Sequence, residues 1–154
     1  FKALRQLGIV SAYPYSVTES KKAILIFVPF AQHKEWKKIQ ERVQSELQKK
    51  FSGQDVVFLA QRKVIRLNQI RNNVPRPRNQ TITAVHEALL EDLVYPTKIV
   101  GKRVRFQVGG QRILKVYLDP KQSKEVEPRL NTFATVYRKL TKKRVKFMFP
   151  RYVV

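Results

Sequence analysis

Lys22-Ala-Ile-Leu-Ile-Phe-Val-Pro-Phe30 is almost wholly apolar, rich in β-branched and aromatic side chains, strand-sized rather than membrane-sized, and reads as a strand. A run apolar on both faces belongs inside a sheet rather than at its edge. From Gln32 to Lys50 the rhythm changes. Trp36, Ile39, Val43 and Leu47 recur at intervals of three and four, with Lys34, Lys37, Lys38, Glu41 and Arg42 on the remaining surface, the pattern of an amphipathic helix packed on a sheet. Phe51-Ser-Gly53 ends that helix, the glycine suiting the left-handed position that follows one, and Val56 to Ala60 is a second buried strand. A strand, helix, strand unit of about forty residues therefore anchors the fold.

Working outward, Ile9 to Val17 reads as a further strand, separated from the first by Thr18, Glu19 and Ser20. Residues 62–80 have no apolar periodicity, two prolines and no acid, which predicts a long basic loop. A helix follows over about 83–93, with Thr81 or Thr83 as its cap and Pro96 past its end; Val85, Leu89 and Leu93 form its inner side. Next comes a hairpin. Val104, Phe106 and Val108 share one face of its first strand, and Leu114, Val116 and Leu118 share one face of its second. A two-residue Gly109-Gly110 turn would put these sets on opposite faces, so an odd loop is required. We expect three residues, 109–111, or five in the same register, with Phe106 facing Leu114, Val104 facing Val116, and Val104 and Val116 both on the core face. A helix over 132–140 and a strand over 145–149 complete an α+β arrangement, expected as one domain over residues 1–154 with no internal repeat and no linker. The start at Phe1, within what reads as a helix end, predicts that residues precede it.

Charge narrows the partners. Among 154 residues, 32 are Lys or Arg and 11 Asp or Glu, giving +21, while 43% hydrophobic content is enough for a core. Acid-free stretches between Asp55 and Glu87, between Asp92 and Asp119, and after Glu127 hold six, six and eight basic residues. A free surface normally mixes signs, so unmixed stretches imply an external polyanion, nucleic acid before membrane. The candidate RNA contacts are Arg62, Lys63, Arg66, Arg71, Arg76 and Arg78 in the loop, Lys102, Arg103 and Arg105 in the hairpin, and Lys142, Lys143 and Arg144 before the last strand. Arginine suits phosphate and unpaired bases. The aromatic motif of RRM sheets, the GXXG loop of KH domains and zinc-knuckle spacing are missing, which favours shape and phosphate recognition.

Catalysis finds little support. There is no cysteine, His33 and His86 are the two histidines, and HExxH, Walker and GxSxG motifs are absent from the sequence. We expect no enzyme activity, no metal, no cofactor, no small-molecule substrate and no membrane association. Glu87, Glu91 and Asp92 are expected to pair with this chain's own cations or with a basic neighbouring protein.

Three stretches carry a family resemblance: Lys50-Phe-Ser-Gly-Gln-Asp-Val-Val-Phe-Leu-Ala-Gln-Arg62; Arg76-Pro-Arg78 with Thr81-Ile-Thr-Ala-Val-His-Glu-Ala-Leu-Leu-Glu-Asp-Leu-Val94; and Ile99-Val-Gly-Lys-Arg103. They resemble the eukaryote-specific small-subunit ribosomal protein S seven family. The resemblance implies a central, mostly antiparallel sheet with flanking helices, contact with small-subunit ribosomal RNA and neighbouring ribosomal proteins, and a role in subunit assembly. It places the protein in the cytoplasmic ribosome, and in the nucleolus during assembly. Two departures stand out: asparagines 68, 72 and 73 thin the charge of the loop, and the ending Arg151-Tyr-Val-Val is unlike the family's. The alternatives from other classes are a basic assembly factor or chaperone that leaves the particle, and an RNA-processing enzyme.

Overall fold

The doubly apolar strand, β2 (Lys22–Val28), is buried on both faces: Ala23 and Leu25 look one way, Ile26 and Val28 the other. In the computed structural model, which describes residues 2–66, 74–95 and 97–150, it pairs antiparallel with β1 (Ser11–Ser16) and parallel with β3 (Gln54–Ala60). Helix α1 (His33–Lys50) makes the crossover. Its Trp36 stacks on Phe58 at 5.5 Å and donates from Nε1 to the Gly8 carbonyl at 3.2 Å, tying the N-terminal segment to the same layer. Gly53 has φ +78°, the left-handed turn required after the helix.

A second sheet repeats this plan. β4 (Ile99–Phe106) and β5 (Arg112–Leu118) pair antiparallel, the chain crosses through α3 (Ser123–Val126) and α4 (Leu130–Thr141), and β6 (Val145–Met148) returns parallel to β5. Helix α2 (Ile82–Val94), capped by the Thr81 hydroxyl accepting from the Ala84 N–H, joins the two halves. The α+β class holds. In place of one central, mostly antiparallel sheet, the described residues form two mixed three-stranded sheets, with two antiparallel and two parallel pairings. The repeat is topological and leaves no trace in the sequence.

Alternation along β2 and β3 divides the core. Ile26, Val28, Val56, Phe58 and Ala60 face α1, whereas Leu25, Val57 and Leu59 face a larger cluster built from Leu90, Leu93, Phe133, Val136, Val116 and Leu118. Helices α2 and α4 thus lie between the sheets. Asp55 locks the joint: it accepts from the Thr132 hydroxyl at 2.6 Å and lies 3.2 Å from the Lys21 ammonium. Beside it Arg129, whose pKa is lowered by burial against the opposing pull of Asp55, donates to the Val56 carbonyl and lies over the Phe133 ring. Truncating fully buried Phe133 to alanine would cost about 3–5 kcal/mol.

The hairpin loop has the expected three residues, but they are 108–110. The Gly110 N–H donates to the Gln107 carbonyl, and Gly110 sits at φ +79°. Such loops place a left-handed residue last, which pins glycine to that position. Val104 consequently faces Leu114, and Lys102 faces Val116. The apolar sets do share a face, yet the hairpin outruns the core. Val116 is fully buried, whereas Val104 is 53% and Phe106 66% exposed, which corrects the expectation that Val104 is a core residue.

Candidate nucleic-acid interface

Strand register gathers charge that the sequence leaves scattered. Arg103 on β4 is the direct partner of Lys115 on β5, and Lys115 of Lys146 on β6, so three cations stand in a row across the second sheet. Partners in register point to the same side, opposite to the core residues Val116 and Phe147. Arg105, two residues along β4 from Arg103, belongs to that face by alternation. Like charges directly opposite one another destabilise a sheet, so this row lowers the stability of the free fold. Arg144 Nη1 donates to Gln111 Oε1 at 2.8 Å, and its carbonyl accepts from the Leu114 N–H, holding the 142–144 turn against the hairpin. Lys142 in that turn is a non-glycine residue at φ 59°.

The long loop is arranged differently. The Ile65 N–H donates to the Gln80 carbonyl at 2.9 Å, and Arg76 Nη1 to the Ile65 carbonyl at 3.3 Å, so the two ends of the loop are fastened together. Lys63, Arg66 and Arg78 are exposed, and Arg76 is half-buried. Arg62 turns inward. Its guanidinium bonds the Asp92 carboxylate, which also lies 3.2 Å from His33 Nε2 and faces the Ala60 N–H at 3.5 Å. Burial pushes the Asp92 carboxyl upward, but hydrogen bonds from His33 and Arg62 and their charge outweigh it and hold the pKa below the ordinary carboxylate value. Arg62 and Asp92 therefore form a structural pair: Asp92 pairs with a cation of this chain, the first of the two alternatives above, and Arg62 is drawn away from the RNA-facing role expected of it. Glu87 and Glu91 are exposed on α2. Arg71, the loop asparagines and the ending from Arg151 lie outside the described residues.

The loop base and the 142–144 turn adjoin. Leu140 lines a cleft of about 220 Å³ with Gln61, Val64 and His86. His86 has its pKa lowered by burial and then by the charge of Lys143. Of the described candidates, Arg103 and Arg105 share the outer face of the second sheet and Lys142, Lys143 and Arg144 lie in the turn beside it, whereas Lys102, opposite Val116, is on the other face. Sequence reasoning misses Lys115 and Lys146; period-two alternation marks them as outward-facing, but placing them beside Arg103 requires knowing which strands pair. Arg66 aside, ion pairs among the described residues take up Lys21, Lys49 and Arg62, leaving the row without an internal acid.

Residues 1–149 match the family model for ribosomal protein S7e. The chain belongs to the ribosomal protein S7e family. Similar curated proteins are the small ribosomal subunit protein eS7 of Avicennia marina, 50% identical over 147 residues, and that of Anopheles gambiae, 47% identical over 151. Each alignment covers 96% of this chain and, respectively, 77% and 78% of the relative. The small ribosomal subunit protein eS7z of Arabidopsis thaliana, 44% identical over 147 residues, aligns over the same share of the chain. No helix among the described residues is long and apolar enough to cross a membrane, and no group of three or more side chains there could hold a metal ion.

Proposed function

We propose that this S7e protein is a structural constituent of the small ribosomal subunit, seated on ribosomal RNA through the outer face of its second sheet, with the base of the long loop and the 142–144 turn as flanking contacts. The observation that carries this reading is the row Arg103, Lys115 and Lys146: three like charges in direct register need a counter-charge from outside. Exposed Glu87 and Glu91 on α2 fit a basic stretch of a neighbouring ribosomal protein, and the site of joining is the nucleolus, where subunits are assembled. Phosphate contacts of this kind are strongly salt-dependent, since each one releases counterions. The test is sedimentation of subunits from cells expressing tagged chain. Wild type should stay with the small subunit through a high-salt wash, whereas reversal of Arg103, Lys115 and Lys146 to Glu should release it. Wild type leaving the particle in the wash would favour a transient assembly factor.

A further inference from the structure

Beyond the carboxyl ends of parallel strands β2 and β3, a cleft of about 330 Å³ opens at the surface. Ligands in sheets with parallel strands collect at such ends, where the chain leaves each strand and diverging loops expose backbone and side chains. Phe30, two residues past β2, forms one wall and is 58% exposed. The Arg62 guanidinium lies 5.4 Å from the centre of its ring and is itself fixed by Asp92. Facing it are the primary amides of Gln61, Asn79 and Gln80, none of which makes a side-chain hydrogen bond among the described residues. Lys63 stands at the same cleft, and no acid lines it among the described residues.

We infer that this cleft receives one unpaired nucleobase extruded from the bound RNA. The ring of Phe30 supplies a stacking surface, the amides supply donors and acceptors for a base edge, and Lys63 supplies the charge for the adjoining phosphate. Stacking of this kind tolerates any base, because each has a π face. Seating one base beside the loop would fix the register of the protein along its RNA, which a phosphate-only contact does not do. This inference rests on the RNA-binding reading above and adds a site separate from the sheet face.

The probes are RNA duplexes bearing a single bulged nucleotide of each base, the same duplex with an abasic bulge, and the uninterrupted duplex, titrated by fluorescence anisotropy at fixed salt. Wild type should prefer base-bearing bulges over the abasic one by about 5- to 150-fold. Phe30→Ala, and separately Ala88→Leu, which fills the cleft from α2, should abolish that preference while leaving duplex affinity and its salt slope unchanged. Circular dichroism establishes that both variants remain folded. Equal wild-type affinity for base and abasic bulges, with steep salt dependence retained, overturns the pocket and leaves the RNA reading standing; that is also the outcome if a protein partner fills the cleft. Preference surviving in both variants overturns it too. Salt-insensitive, negligible binding to every duplex overturns the RNA reading itself.

Discussion

Reversing Lys115 should make the free protein more stable and a worse RNA binder. In the folded sheet Lys115 lies between Arg103 and Lys146, with side-chain bases about 4.5–5.5 Å from each as for any directly opposed pair. Each juxtaposition opposes folding by about 0.2–1 kcal/mol, and Lys115→Glu turns both into attractions of similar size. Allowing for the exposure of Arg103 and Lys146, the net gain is about 1–2 kcal/mol at low ionic strength. For a domain of this length that raises Tm by about 2–8 °C. Thermal denaturation followed by circular dichroism should show the gain in dilute buffer and lose most of it in 1 M salt, where the screening length of about 3 Å is shorter than the cross-strand spacing. Lys124→Glu, on α3 and away from the sheet, is the control. In parallel, the slope of log affinity against log salt for RNA should flatten by about 0.9 for each phosphate that the variant no longer neutralises. A destabilised variant, or a gain that persists unchanged in high salt, would refute the register on which the interface is built.

Other expectations follow from single residues. Asp92→Asn leaves Arg62 charged and poorly paired in the interior, and urea denaturation should register a loss of about 3–5 kcal/mol. Because the Asp92 pKa is lowered by folding, its contribution is present above the ordinary value of 3.8 and is lost as pH falls through the folded value; the variant's acid limb should lack that component. Val116→Glu should abolish folding, whereas Val104→Glu, on an exposed overhang, should change the stability of the free chain by no more than about 0.5 kcal/mol. His86, whose pKa is lowered from 6.5, binds its proton more readily in the unfolded chain, so stability should decline as pH drops from 6.5 toward the folded value. His86→Gln should remove that decline, and the imidazole titration followed by NMR should place the midpoint below 6.5.

The elements themselves are legible because each carries a periodicity: the double-sided apolar run of β2, the three-and-four spacing of α1, and the alternation of β5. The parity of the hairpin is legible too, since only an odd loop aligns the two apolar sets. Its position requires asking which loop residue must adopt positive φ, and Gly110 answers that. Where alternation misleads, at Val104 and Phe106, the cause is that sequence shows which side a residue faces and not whether anything covers that side. Charge behaves in the same way. The acid-free stretches point to a polyanion partner, but Arg62 is drawn inward by Asp92, thirty residues away, and Lys115 gains its significance from two strands the sequence does not pair. Parallel partners leave no mark of their pairing at either strand, so the two-sheet arrangement is not readable.

The division of the core between two faces of β2 and β3 has a consequence for synthesis. When Ala60 has left the ribosome making this chain, α1 can already cover Ile26, Val28, Val56 and Phe58, but Leu25, Val57 and Leu59 have nothing to lie against until α2 and α4 follow. Phe133 is more than seventy residues further on, an interval of roughly 4 to 15 s at ordinary elongation rates. For that time the nascent chain presents a half-finished sheet, apolar on one side, with both polyanionic ribosomal RNA and other nascent chains nearby. A protein destined for a ribosome thus passes its most adhesive moments at the surface of another one, and a chaperone that shields apolar strands should be most needed between the emergence of β3 and that of α4.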